Sequence, residues 1–128
     1  RWDFMIKRKM QMVVKNDEAL FTEKLILYKN DGAVVLTIEI ANLQYTFSNK
    51  KGIKGAYVDV VILKPNGEAV MIENAEVKGT NAVEVNIGSE IMNEESEVGK
   101  HLMQLRIYET SEKKNRICLP IVSFLVKQ

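Results

Sequence analysis

The sequence predicts an all-β protein: a sandwich of about eight antiparallel strands with one short helical turn near residues 89–95. Three observations carry this. Apolar residues recur with period two rather than 3.6 along most of the chain. Short clusters of Asn, Asp, Gly and Pro, the residues that tight turns require, separate the apolar runs. No internal repeat or sustained helical pattern interrupts the series.

The elements follow in order. From Phe4 the even positions read Phe4, Ile6, Arg8, Met10, Met12 and Val14, with Lys7, Lys9 and Gln11 opposite. Arg8 is the one misfit, and its length lets it reach past a sheet edge. "TEKLILYKNDG" reads as a strand from about Thr22 to Tyr28, closed by Asn30-Asp31-Gly32 as a hairpin. The next strand sets Val34, Leu36, Ile38 and Ile40 on a buried face and Val35, Thr37 and Glu39 on a wet one. Asn42 to Gly55 is a loop, because two glycines and three lysines suit no packed helix. "YVDVVILKPNGEAVMIENAEV" is then a hairpin turning at Lys64 to Gly67, where Pro65 fixes φ and Gly67 takes a left-handed conformation.

Gly79-Thr80-Asn81 turns again into Val83, Val85 and Ile87. Between Gly88 and Lys100 the alternation stops. Ser89 suits the cap of a short helix with Glu90 near its start, and Ile91 with Met92 tucks that turn against the sheet. Strands resume at His101–Tyr108 and Ile117–Val126. The last has apolar residues on both faces and so reads as interior, whereas Pro120 argues for an edge or a bulge. Without the Cys…Trp…Cys hallmark, immunoglobulin-like and jelly-roll arrangements both stay open.

A chain of 128 residues buries a real core without staples. Because it opens on Arg1 rather than methionine, residues 1–4 are read as a tag or disordered start and 5–128 as a single sandwich domain. No apolar run approaches the roughly 18 residues of a membrane span. With 18 basic and 17 acidic residues the charge balance argues against a nucleic-acid partner. Lys7-Arg8-Lys9, Lys50-Lys51 with Lys54, and Lys113-Lys114 with Arg116 are accordingly read as solvated turns and faces. The lone Cys118, set among apolar residues, reads as a buried inert thiol.

The chain is poor in reactive constellations. One His and one Cys cannot supply a zinc site, so no metal and no cofactor are expected. His101 lacks a nucleophile signature and reads as a surface imidazole. Asp59, facing Tyr57, Val61 and Leu63, is the least comfortable acid; with Glu39 or Glu84 it is the sole route to a hydrolase, which needs two carboxyls about 5–10 Å apart. The plainer reading is a carboxylate satisfied by a partner or set at the sheet rim. The expectation is a protein that is not an enzyme.

Strung together, "YKNDG", "VVLTIEI", "GAYVDVVILKPNGEAV", "AVEVNI", Gly99-Lys100 before a strand ending in "IY", and a final "LPIVSFLV" resemble the N-terminal domain of phage baseplate upper proteins. This BppU-like family belongs to Gram-positive siphophages and prophages, and the resemblance covers Lys7 to Lys127. Three features depart from its pattern: Asn66 stands where Asp is usual, the segment before Gly55 is longer and more basic, and the family's usual asparagine-leucine-threonine-glycine approach to it is absent. The resemblance implies an immunoglobulin-like, non-catalytic connector of the virion tail, synthesised in the host cytoplasm. Such domains dock on the tail hub formed by the distal tail protein. They link it, as oligomers in the full-length context, to receptor-binding proteins that recognise host cell-wall saccharides.

Loops on a rigid scaffold usually present function, which singles out Tyr45, Phe47, Lys50, Lys51 and Lys54 as docking residues. The competing reading has Tyr45 and Phe47 plugging the bottom of the sandwich. A different function, carbohydrate binding or adhesion, would use Trp2, Tyr57 or Tyr108 as a stacking platform.

Overall fold

Among the described residues alternation becomes ten strands. The computed structural model describes residues 6–29, 32–41, 43, 52–88, 91–92 and 97–128. Its strands are β1 (Ile6–Lys15), β2 (Glu18–Phe21), β3 (Ile26–Tyr28), β4 (Val34–Ala41), β5 (Tyr57–Leu63), β6 (Ala69–Lys78), β7 (Ala82–Ile87), β8 (Gly99–Tyr108), β9 (Arg116–Cys118) and β10 (Val122–Lys127). They form one curled path, β2-β1-β4-β7-β6-β5-β8-β10-β3, with β9 beside β8. The path folds into two layers because β6 serves both: Ala69–Ala75 pairs with β5 and Glu76–Lys78 with β7. Among the described residues no helix is long and apolar enough to cross a membrane.

One dry core lies between the layers. Leu36, Ile38, Val83 and Val85 meet Val58, Val60, Ile62, Met103 and Ile107, all fully buried. Each such side chain contributes about 1.5–3 kcal/mol by leaving water. Arg8, the misfit of the first strand, donates through Nη1 to the Ile26 carbonyl at 3.3 Å. It thereby occupies an acceptor on β3, the last strand of the path. Ile91 and Met92 are buried as expected, their amides donating to the Gly88 carbonyl at 3.0 and 2.9 Å. The rest of the expected helical turn lies outside the described residues.

The all-β, sandwich-like class holds, and the differences lie in pairing. β2 was missed: Asn16, at φ 55°, and Asp17 turn β1 directly back on itself. The expected hairpin across residues 30–32 does not form. β4 already has both edges filled, by β1 and β7, so β3 crosses to the other layer and pairs with β10. The pairings β1–β4 and β3–β10 are parallel, where an antiparallel set was expected.

The conflict at Pro120 resolves as a bulge. Cys118 pairs with Arg106 and Val122 with Met103, so Leu119, Pro120 and Ile121 oppose only Gln104 and Leu105. The extra residue reverses the facing pattern. Leu119 is buried before the bulge; Val122, Phe124 and Val126 are buried after it. Apolar residues on both faces therefore mark a change of phase within a single buried face. This shift also turns Cys118 outward, so the thiol is exposed rather than buried.

His101 is likewise not a surface residue. It shares the inward face of β8 with Met103, Leu105 and Ile107, is 1% exposed and stacks on Phe124 at 5.1 Å. Nδ1 donates to the Gly99 carbonyl at 3.1 Å, which leaves Nε2 as an acceptor without a partner. Burial pushes its pKa below the ordinary 6.5, with Lys64 adding to the shift and the Gly99 bond and Glu97 opposing it. The unfolded chain therefore takes up a proton near 6.5 while the folded protein stays neutral. Stability is full well above that value and falls as pH drops through it into the acid range. A His101→Leu variant, followed by urea denaturation across this window, is expected to show a flatter profile than the parent.

Candidate functional site

The most polar buried cluster sits where β6 passes from one layer to the other. Val58 pairs with Ala75 and Val60 with Ile72, so Glu73 and Asn74 together oppose Asp59. Asn74 adopts φ 52°, which asparagine tolerates better than most residues. The bulge turns its amide out of the ladder, and Asp59 Oδ1 accepts from it at 3.0 Å. Asp59 Oδ2 receives Lys113 Nζ at 2.6 Å. With the carboxylate 1% exposed, these partners replace the water it has lost.

Lys113 is positioned by the turn between β8 and β9. Its φ is 62° and its amide donates to the Thr110 carbonyl at 2.9 Å, while the Glu109 amide donates to the Lys114 carbonyl at 3.1 Å. The ammonium also lies 3.6 Å from Glu73 Oε1 and 5.8 Å from the centre of the Tyr108 ring. The hydrogen bond to Asp59 raises the Lys113 pKa above the usual lysine value, reinforced by the charges of Asp59 and Glu73. Both acids of this cluster are thus committed to one cation. Glu39 and Glu84 stand on the other layer paired with Lys9 and Lys78. The hydrolase arrangement is not assembled. Among the described residues no three His, Cys, Asp or Glu side chains come together to hold a metal.

Beside the cluster opens a cleft of about 620 Å³, bordered by Lys54, Tyr57, Asn74, Val77 and Ser111. Just before Lys54, Gly52 has φ +63° and faces the Thr80 carbonyl so closely that a Cβ would lie 2.1 Å from the oxygen. That oxygen accepts from the Ile53 amide at 2.8 Å, and Ile53 is fully buried. Of the expected docking residues, Lys54 is exposed on this rim. Tyr45, Phe47, Lys50 and Lys51 lie outside the described residues, as does Trp2. Tyr57 and Tyr108 are cross-strand neighbours, but Tyr57 is 40% exposed and Tyr108 only 7%. One exposed ring is a poor platform for a sugar.

This geometry has a counterpart among solved structures. The chain is similar to the N-terminal domain of phage TP901-1 ORF48, with a TM-score of 0.61 over 98% of this chain and 100% of that one. The two share a fold. Sequence identity is 8%, so the likeness lies in strand order and packing rather than in retained side chains. No protein-family model matches the chain, and no curated protein matches it in sequence.

Proposed function

We propose that the chain is a non-catalytic structural domain of a phage or prophage tail baseplate. In this reading it docks on the hub formed by the distal tail protein and connects that hub to receptor-binding proteins of the virion. The observation that carries the proposal is the fold shared end to end with a domain of a phage protein. The order of turn and strand motifs in the sequence supports the same assignment. So does the commitment of Asp59 and Glu73 to Lys113, which serves rigidity rather than turnover.

The test is direct. The purified chain is expected to co-elute in size-exclusion chromatography with the distal tail protein of the same phage or prophage, and to be found in the tail fraction of assembled virions. Absence from that fraction would sink the proposal. Saccharide binding in calorimetry that a Tyr57→Ala change abolishes would favour the adhesion reading instead.

A further inference from the structure

The two outer faces of the sandwich differ in kind. On the β1-β4-β7 side, outward positions alternate signs and neutralise one another: Lys9 meets Glu39 at 2.7 Å, and Lys78 meets Glu76 at 3.0 Å and Glu84 at 3.8 Å. This is a surface built to face water. The opposite face, across β6, β5, β8, β10 and β3, is apolar at its centre. Of the seven most exposed large apolar side chains among the described residues, Met71, Leu63, Ile121, Tyr57 and Tyr28 lie here.

The strand register sets apolar residues side by side in pairs, with Gln104 next to Val61, Ser123 next to Leu102 and Lys100 next to Leu125. Met71 pairs with Val61 and Leu63 with Leu102, while Leu125 pairs with Ile26 one row along. A groove of about 470 Å³, lined by Leu20, Leu102, Ile121 and Leu125, extends the patch to the edge of β2. Five strands span about 19 Å, and six or seven residues along them about 20 Å. That central area of roughly 400 Å² is comparable to the largest patch on an ordinary monomer and often marks a functional surface.

The charge around the patch selects its occupant. The strand cations are Lys100, Arg106, Arg116 and Lys127, and none of them is in an ion pair among the described residues. The strand acids are Asp59 and Glu73, both turned onto Lys113. The face is therefore positive although the whole chain is close to neutral. A second copy laid face to face would set these cations against themselves, an arrangement that like-charge repulsion disfavours.

We infer that this face docks a protein partner whose contact surface is apolar at its centre and acidic at its rim. The apolar centre supplies about half of the roughly 800 Å² that a stable interface buries on each side, and the basic rim supplies the remainder. This inference rests on the tail-docking reading but assigns the contact to a sheet face rather than to the loop around Lys54.

The experiment uses the distal tail protein and the other tail proteins of the same genome as purified probes. Four forms are compared: the parent, Lys100→Glu with Lys127→Glu, Leu63→Ser with Met71→Ser, and Lys9→Glu with Glu39→Lys on the other face. Each altered residue is exposed or half-exposed, and thermal melts confirm that each form folds. Both variants of the apolar face are expected to bind at least tenfold more weakly, and the control within twofold of the parent. Equal binding by all four forms would overturn the inference and leave hub docking standing. Binding to a different tail protein, lost in the two face variants, would retain the inference and remove the hub assignment. Parent binding to none of the probes overturns both. A parent dimer in sedimentation that the face variants abolish would overturn the acidic partner.

Discussion

Replacing Asp59 with alanine is expected to lower the unfolding free energy by about 2–4 kcal/mol. The loss has two sources. The Asn74 amide, freed by the bulge, loses the Asp59 oxygen that accepts from it, and Lys113 loses a charge-assisted bond of 2.6 Å. Asp59→Asn keeps an oxygen for the amide while removing the negative charge, so it falls between parent and alanine. Lys113→Met destabilises as well, since it leaves a buried carboxylate without its cation. Denaturant titration of the three variants ranks them. A loss under about 0.5 kcal/mol for alanine, the range of an ordinary surface change, would show that the corner of β6 does not need this network.

Gly52→Ala is expected to cost about 3 kcal/mol or more. The left-handed φ alone penalises a side chain by about 1–2 kcal/mol. The decisive part is steric: the new carbon would meet the Thr80 carbonyl oxygen at 2.1 Å. Relief demands moving one of two backbone segments, which breaks the Ile53–Thr80 bond and draws Ile53 out of the core. Gly32→Ala is the matched control, because Gly32 has φ +74° but nothing within 4 Å of a Cβ. It carries the conformational penalty without the collision. Melting temperatures of the two variants should be well separated, and coincident values would mean that the turn yields without strain.

Much of the fold could be read from local pattern. β4, β5, β7 and β8 were set by alternation, and the turns at Lys64–Gly67 and Gly79–Asn81 by residues whose backbone preferences admit few conformations. The Gly67 amide closes the first of these on the Lys64 carbonyl at 3.0 Å. Pairing was harder, because alternation tells which side of a strand is dry but not which strand lies beside it. The Asn30-Asp31-Gly32 sequence is as good a hairpin signal as the chain contains, yet the decision lay with β4, whose edges were already occupied.

The two bulges did leave a trace that sequence reading passed over. In β6 the half-buried positions run on even numbers through Ile72 and on odd numbers from Ala75, and the last strand slips in the opposite sense around Pro120. Each slip marks an inserted residue. Asp59 was rightly read as partnered. Its partner Lys113 is 54 positions away and came into reach only through the β8–β9 turn. The basic, apolar outer face was invisible for a related reason: it is assembled from strands far apart in sequence, each contributing only a few of its residues.

The parallel pairing of β3 with β10 has a consequence for biosynthesis. Ile26 leaves the ribosome about 100 residues before Leu125, an interval of roughly 5–20 s at ordinary translation rates. Throughout that interval the apolar Leu25 and Leu27 have no neighbouring strand to close over them, and the Ile26 carbonyl has only Arg8 to engage. The second layer of the sandwich therefore lacks its edge until β10 is made, and the β3–β10 pairing completes it.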